Sequence, residues 1–221
     1  ADDTPSMVRE LSADPGARIR LIDDSPPLPA IKRNVGVEAA AGDLVWFIND
    51  DMWFEPSALR EHVSTHLSSD QPIAVLGYCE QSKEMPFTPF VDFYEPFAYH
   101  LLPAAGESVP YQFFWSMNLT MPRATMLERN LVFHQDWRYI GHEDVELGHR
   151  WTQAGYRAVY NPRARGEHFH PHTVASAARL QESIGRGLRD LESLIPDADL
   201  LERYGVLHRR VSIRSLLRGV A

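Results

Sequence analysis

A single cysteine, Cys79, leaves the 221-residue chain unable to form an internal disulfide, so a reducing cytoplasm is the expected compartment. No apolar run approaches the roughly 20 residues that span a bilayer, and no signal-peptide pattern opens the sequence. A cytoplasmic protein is expected, soluble or peripheral to a membrane. Positive charge is also short: the formal net charge is −8, whereas nucleic-acid binders show a basic face. An anionic substrate would therefore need local help from arginines or a metal ion. The P-loop, the dinucleotide GxGxxG, the GxSxG elbow and the CxxC pair are all missing. There is no internal repeat and no low-complexity tract. The remainder is ordinary for a globular chain, with 44% hydrophobic and 24% charged residues. Its length suits one large domain, or one domain with a helical appendage.

Strand-like and helix-like patterns alternate along the first two thirds. DDTPSMVREL reads as a capped helix with Pro5 in its first turn, and ARIRLID as a short strand. DSPPLPA is a loop, and KRNVGVEAAAG a helix ending on Gly42. LVWFI is a continuous apolar run, the pattern of a strand covered on both faces in a parallel sheet. EPSALREHVSTHL follows as a helix with Pro56 at its first turn, and PIAVLGYCE as a strand. A proline- and aromatic-rich segment, 85–110, lacks a clear period. YQFFWSMNLTMP resembles a strand, EDVELGHRWTQAG a helix ending on Gly155, and YRAVYNP another strand. From about Thr173 the pattern turns helical. This alternation predicts an α/β fold with a parallel sheet.

Three short stretches can carry chemistry. In 48-INDDM-52, Asn49, Asp50 and Asp51 follow the apolar run, at the strand edge where open α/β sheets bind ligands. Adjacent oxygen-rich side chains there suit Mg²⁺ or Mn²⁺, held together with substrate phosphates; they equally suit the cap of the next helix. In 141-GHEDVELGHR-150, Glu143 and Asp144 open a helix, where the macrodipole favours an ionised carboxylate. Asp144 can there accept a proton from a substrate hydroxyl, or simply cap the helix. In 167-EHFHPH-172, His168, His170 and His172 alternate, a metal-like spacing on one strand face. Pro171 interrupts that strand, so one ligand is expected among the three. Arg33 and Asn34 can meet phosphate oxygens through the Arg fork and helix N–H groups, while Trp115 and Trp137 can stack on a sugar or fill the core.

Together, and in this order, these pieces resemble the inverting family 2 glycosyltransferases of the GT-A fold, over about residues 1–172. RNVGVEAAAGDLVWFINDDM resembles the family's Arg-Asn-x-Gly helix running into a strand that ends in a DxD-type motif. WSMNLTMPRATM resembles the segment near the acceptor, and GHEDVELGHRWTQAGYRAVYNPRARGEH the Glu-Asp helix and the stretch to a terminal His. The spacing of Asp144, Leu147, Arg150, Gly155, Pro162, Ala164 and His168 is the specific part.

The resemblance implies a mostly parallel central sheet flanked by helices: a GT-A domain over 1–172 with a helical extension over 173–221. It implies transfer of a sugar, with inversion, from a UDP-, dTDP- or GDP-sugar to a carbohydrate, lipid-linked or small-molecule acceptor, and no nucleic-acid partner. Asp51 takes the metal position of the DxD motif and His168 that of the distal histidine, holding Mn²⁺ or Mg²⁺. Asn49 stands where the first Asp is usual, beside Asp50. Arg33 and Asn34 fall in the donor segment. Asp144 takes the base position with Glu143 beside it, and Trp115, Asn118 and Trp137 lie toward the acceptor. Family members begin with a strand, a helix and a second strand, so the chain is expected to start inside the fold, about 40 or more residues late. Asn49 also motivates a rival, a non-catalytic nucleotide-sugar-binding or carbohydrate-binding subunit. A metal-dependent hydrolase built on Asp50, Asp51 and the histidines is a further one. The terminal RYGVLHRRVSIRSLLRGVA bears arginines and no acids, which suits an anionic membrane surface or an oligomer contact.

Overall fold

In the computed structural model, residues 3–22, 28–86, 88–93, 99–195 and 201 are described. In chain order the elements are α1 (Thr4–Ser12), α2 (Pro29–Ala39), β1 (Leu44–Ile48), β2 (Met52–Phe54), α3 (Ala58–Leu67), β3 (Ile73–Gln81), α4 (Pro89–Phe93), β4 (Asn118–Pro122), α5 (Arg123–Glu128), α6 (Glu143–Gln153), β5 (Arg157–His168) and α7 (Val174–Leu194). The strands make one sheet in the order β1-β4-β3-β5-β2. The expected layering of helices on a central sheet is present. The arginine-bearing stretch 203–221 lies outside the described residues.

The expected strand direction needs correction. Among the described residues only β3 and β5 pair in parallel; β1–β4, β3–β4 and β2–β5 are antiparallel. The sheet is therefore mixed, not mostly parallel. LVWFI forms β1 as expected, but it is an edge strand of the described sheet, with Phe47 buried and Ile48 52% exposed. An apolar run reports shielding from water and carries no information on direction. The strand covered on both faces is β3, buried without a break from Ile73 to Gly77. Residues 17–22 of the ARIRLID segment form no strand. Pro29 opens α2 instead of sitting in a loop, because its fixed φ suits a first helical turn. That helix ends on Ala40 in an extended conformation, before Gly42.

The core fills the space between the sheet and α2, α6 and α7. Leu76, Leu119, Met121, Phe133, Leu147 and Trp151 are among its most enclosed members. The helix α7 starts from a capping box in which the Thr173 hydroxyl accepts the Ser176 N–H and the Ser176 hydroxyl accepts the Thr173 N–H. It docks through buried Asp190, whose carboxylate accepts the Arg138 backbone N–H at 3.0 Å and its Nε at 2.9 Å.

One irregularity shapes the sheet. Between Gly77 and Tyr78 the β3–β5 register jumps from Asn161 to Arg165, so Pro162, Arg163 and Ala164 bulge out. Asn118 closes the bulge. Its Nδ2 donates to the carbonyls of Tyr78 (3.2 Å) and Ala164 (2.9 Å), while its Oδ1 accepts from Trp46 Nε1 (3.0 Å) and lies 2.8 Å from His62 Nε2. All four hydrogen-bonding positions of the amide are thereby used. This assigns the proton on His62 to Nε2, leaving Nδ1 to accept from the Thr120 hydroxyl at 2.9 Å. His66 Nε2 then donates to that same oxygen, also at 2.9 Å. Burial holds both imidazoles down at about 4, so they are neutral at physiological pH. Gly77 is required here, since a Cβ would stand 2.2 Å from Asn118 Nδ2 and 2.5 Å from the Ala164 carbonyl oxygen.

Asn118→Ala leaves buried donors and acceptors unmatched and should cost about 2–4 kcal/mol of stability. In urea unfolding the midpoint should fall with an unchanged m-value; a midpoint like that of the wild type would show that the bulge does not depend on this amide.

Candidate active site

Three segments meet in one cleft of about 330 Å³. The turn after β1 brings Asn49 and Asp51, the start of α6 brings Glu143 and Asp144, and the end of β5 brings His168, His170 and His172. Arg33 from α2 and Trp115 line it too, with Met117, Ile140, Leu180 and Ile184 as apolar walls. Backbone pairing sets the first junction. Met52 stands opposite His168 in the β2–β5 ladder, and the Phe169 N–H donates to the Asp51 carbonyl at 2.8 Å.

At one end, Asp51 faces two imidazoles. Its Oδ2 lies 2.8 Å from His170 Nδ1 and its Oδ1 3.2 Å from His168 Nε2. The rings of His168 and His170 stack 5.6 Å apart, and His172 lies 4.4 Å beyond His170. Burial pushes the Asp51 carboxyl up, but the hydrogen bonds and charges of His168 and His170 outweigh it and hold the group down at about 2. Burial and the charges of His170 and His168 keep His172 below its ordinary value. One ligand atom each from Asp51, His168 and His170 lies within 4.8 Å of the other two. Asp51 Oδ1 is shut off from solvent, with His168 Nε2 at 3.2 Å. A shielded anionic oxygen among imidazoles fits a divalent cation, so the residues present suit the metal that the sequence implied.

At the other end, α6 is launched by a sharp reversal. Gly141 has φ +107° and His142 φ +66°, both left-handed, and a Cβ at Gly141 would stand 2.8 Å from Ile184 Cγ1 on α7. The next two carboxylates differ sharply. Glu143 is buried and engaged by Arg33 Nη1 at 2.9 Å and by the Gly141 N–H at 2.8 Å. Asp144 accepts from the N–H groups of Val145 (2.9 Å) and Ser116 (3.3 Å). Burial first, and then the neighbouring Glu143 charge, push its carboxyl up to about 7 against the opposing pull of Arg33 and these two N–H groups. A carboxylate poised near neutrality in a cleft is suited to general-base work.

Other expected site residues lie elsewhere. Asn34 is buried, with Nδ2 donating to the Phe133 carbonyl (2.7 Å) and Oδ1 accepting the Phe133 N–H (2.8 Å), so it ties α2 to the core. Asn118 closes the β-bulge, and Trp137 is 1% exposed within the core. Asp50 is exposed and does not line the cleft. Conversely, sequence reasoning left out Leu180 and Ile184. Their i, i+4 spacing places them on one helix face but says nothing of what that face meets. It also expected a single ligand in 168–172, where two imidazoles turn to the same carboxylate.

A scan against protein families matches residues 1–185 to a family described as glycosyltransferase like family 2. Comparison with curated proteins finds no match. Among solved structures, the chain resembles the mannosyltransferase PcManGT from Pyrobaculum calidifontis, in complex with GDP-Man and Mn²⁺. The TM-score is 0.60 at 20% identity, covering 87% of this chain and 52% of that one. It also resembles S. aureus TarS 1–349 in complex with UDP-GlcNAc, with a TM-score of 0.56, 11% identity and coverage of 85% and 54%. The chain thus spans about half the length of the solved structures it matches. These likenesses show the fold, which is GT-A.

The folded-state pKa of Asp144 lies above its unfolded value, so between 3.8 and about 7 the folded chain binds the extra proton. Its contribution to stability is present below that window and is lost as pH rises through it. Asp144→Asn should therefore gain stability relative to the wild type as pH is raised across the window, with a level difference above it. Urea midpoints at a series of pH values check this, and a difference independent of pH would show that Asp144 ionises normally.

Proposed function

The chain belongs to the glycosyltransferase-like family 2, and from that premise we propose that it moves a sugar from a nucleoside-diphosphate sugar to an acceptor hydroxyl, with inversion and with the help of a divalent metal. The observation that carries this reading is the pairing, within one cleft, of an Asp51–His168–His170 cluster with a carboxyl, Asp144, poised near neutrality. The two ends match the two demands of the reaction: a leaving diphosphate that needs positive charge, and an incoming hydroxyl that must lose its proton.

The Asp144 carboxylate takes the proton from the acceptor hydroxyl as that oxygen bonds to the anomeric carbon. The bond from that carbon to the diphosphate oxygen breaks in the same displacement, and the nucleoside diphosphate departs. A single in-line step inverts the centre, so no second carboxylate is needed as a nucleophile. Glu143 is committed to Arg33 and the Gly141 N–H, and acts by holding the turn that presents Asp144. Asp51 and His168 would hold Mn²⁺ or Mg²⁺, which would supply Lewis-acid charge for the leaving diphosphate. The mannosyltransferase neighbour, in complex with GDP-Man and Mn²⁺, supports the use of a divalent metal. UDP-, dTDP- and GDP-sugars are the candidate donors, in keeping with the neighbours that hold GDP-Man and UDP-GlcNAc. Trp115 lines the same cleft and offers a ring face to an acceptor sugar. Among the described residues no helix is long and apolar enough to cross a membrane.

A thermal-shift screen of nucleotide sugars with and without Mn²⁺ identifies the donor by the stability it adds. With that donor, Asp144→Asn should lower transfer by about 10²–10⁴-fold, the usual share of a general base, while donor affinity stays near that of the wild type. Wild-type turnover by the variant would remove Asp144 from the base role. Asp51→Ala should abolish the Mn²⁺-dependent part of donor binding in calorimetry, and an unchanged signal would refute its role as a ligand. A chain that binds the donor yet neither transfers nor hydrolyses its sugar would favour the non-catalytic subunit.

A further inference from the structure

We propose that Asp51, His168 and His170 form a preassembled centre that captures a divalent transition ion before the nucleotide sugar arrives and selects against Mg²⁺, with His170 as a third ligand. This rests on reading Asp51 as the metal-bearing carboxylate, and it is independent of whether sugar is transferred.

The spacing supports a shared ion. Ligand atoms at about 2.0–2.2 Å from one cation, separated by angles of about 90–110°, lie about 3.0–3.5 Å apart. The observed N···O separations, 2.8 Å from Asp51 Oδ2 to His170 and 3.2 Å from Oδ1 to His168, lie near that range, and one ligand atom from each of the three residues lies within 4.8 Å of the other two. Each carboxylate oxygen addresses a different imidazole, so neither histidine duplicates the other.

Preassembly follows from what holds the ligands. His168 is locked into the β2–β5 ladder opposite Met52, and the Phe169 N–H is fixed to the Asp51 carbonyl. Because side chains alternate along an extended chain, His168 and His170 emerge on the same side. His172, which lines the same cleft, packs its ring 4.4 Å from that of His170 and restrains it. None of these contacts involves a nucleotide. A centre assembled by the protein alone does not wait for diphosphate oxygens to complete it.

Selectivity follows from the donor atoms. Two imidazole nitrogens and one carboxylate oxygen suit borderline ions such as Mn²⁺, Co²⁺ and Zn²⁺. Mg²⁺ demands near-octahedral oxygen ligation and gives up its water reluctantly. The His170 side chain is 46% exposed, against 14% for His168 and 24% for Asp51. An ion would therefore have an entry path from the cleft.

Co²⁺ titrated into the chain without nucleotide, followed by calorimetry and by visible absorption, provides the test. One Co²⁺ should bind per chain, with the d–d bands of a nitrogen–oxygen site; Zn²⁺ should displace it, and Mg²⁺ in large excess should not. His170→Ala should weaken Co²⁺ binding about tenfold or more, and His170→Gln should do so too, with far-ultraviolet circular dichroism confirming that both fold. His134→Ala, outside the cleft, should bind like the wild type. Co²⁺ binding only when nucleotide is present, displacement by equimolar Mg²⁺, or wild-type affinity in both His170 variants would each overturn the proposal. Sugar transfer by a chain that binds Co²⁺ only with nucleotide would sink this inference and leave the proposed function standing. Nucleotide-free Co²⁺ binding without any transfer would do the reverse.

Discussion

The hydrogen bond from the Phe169 N–H to the Asp51 carbonyl, at the end of the short β2–β5 ladder, is the constraint on which the cleft depends. It joins a turn that follows β1 to the last residues of a strand more than a hundred positions later. Once it forms, alternation along the extended chain turns His168 and His170 toward the Asp51 carboxylate. β5 pairs with β2 just beyond the point where its register on β3 breaks, beside Gly77. Bulges re-aim strands in this way, often next to sites. The saturated Asn118 amide holds that break, with His62, Thr120 and His66 continuing the polar chain beneath it. A buried network in which every group is satisfied rigidifies its surroundings. The end of the cleft that carries Asp51 is therefore supported from under the sheet as well as by the packing of His172 on His170.

Two aspartates in one cleft are driven in opposite directions by their surroundings. Asp51 faces two imidazoles, whose hydrogen bonds and charges hold its carboxyl at about 2 despite burial. Asp144 is enclosed, with the anionic Glu143 as its immediate neighbour, and its carboxyl rises to about 7. Divergent environments of this kind separate the roles of like groups. A group ionised at any working pH serves as a standing charge, while a group poised near neutrality can take up and release a proton. Arg33 mediates between the two demands. It pairs with Glu143 and partly offsets the rise that Glu143 causes in Asp144.

Much of this was legible in the sequence, for identifiable reasons. The positions of Asp51, Asp144 and His168 could be read because motif order and spacing survive wherever the chain must return to one cleft. The helices α3, α6 and α7 announce themselves through their apolar period and their caps. Strand direction was not legible, because LVWFI reports apolarity and nothing of its partner. Nor were the fates of Asn34, Asn118 and Trp137. A polar or aromatic side chain flanking a motif can face the ligand or the scaffold, and that choice is made by distant groups: the Phe133 backbone for Asn34, and Tyr78, Ala164 and Trp46 for Asn118. The second imidazole on Asp51 was hidden by Pro171, which ends the strand pattern without turning His170 away.

The helix α7 is the remaining piece of the site, and its role runs through backbone geometry. Leu180 and Ile184 wall the cleft. Ile184 also packs so closely on Gly141 that no side chain fits there, and Gly141 with His142 makes the left-handed reversal that starts α6. The conformation that aims Asp144 is thus braced by a helix some 40 residues downstream, itself anchored through Asp190 on Arg138. Interiors are close-packed and transmit small displacements. A change in volume at Ile184 therefore reaches the proposed base without touching it, and the helical segment after the histidines belongs physically to the machinery of the cleft.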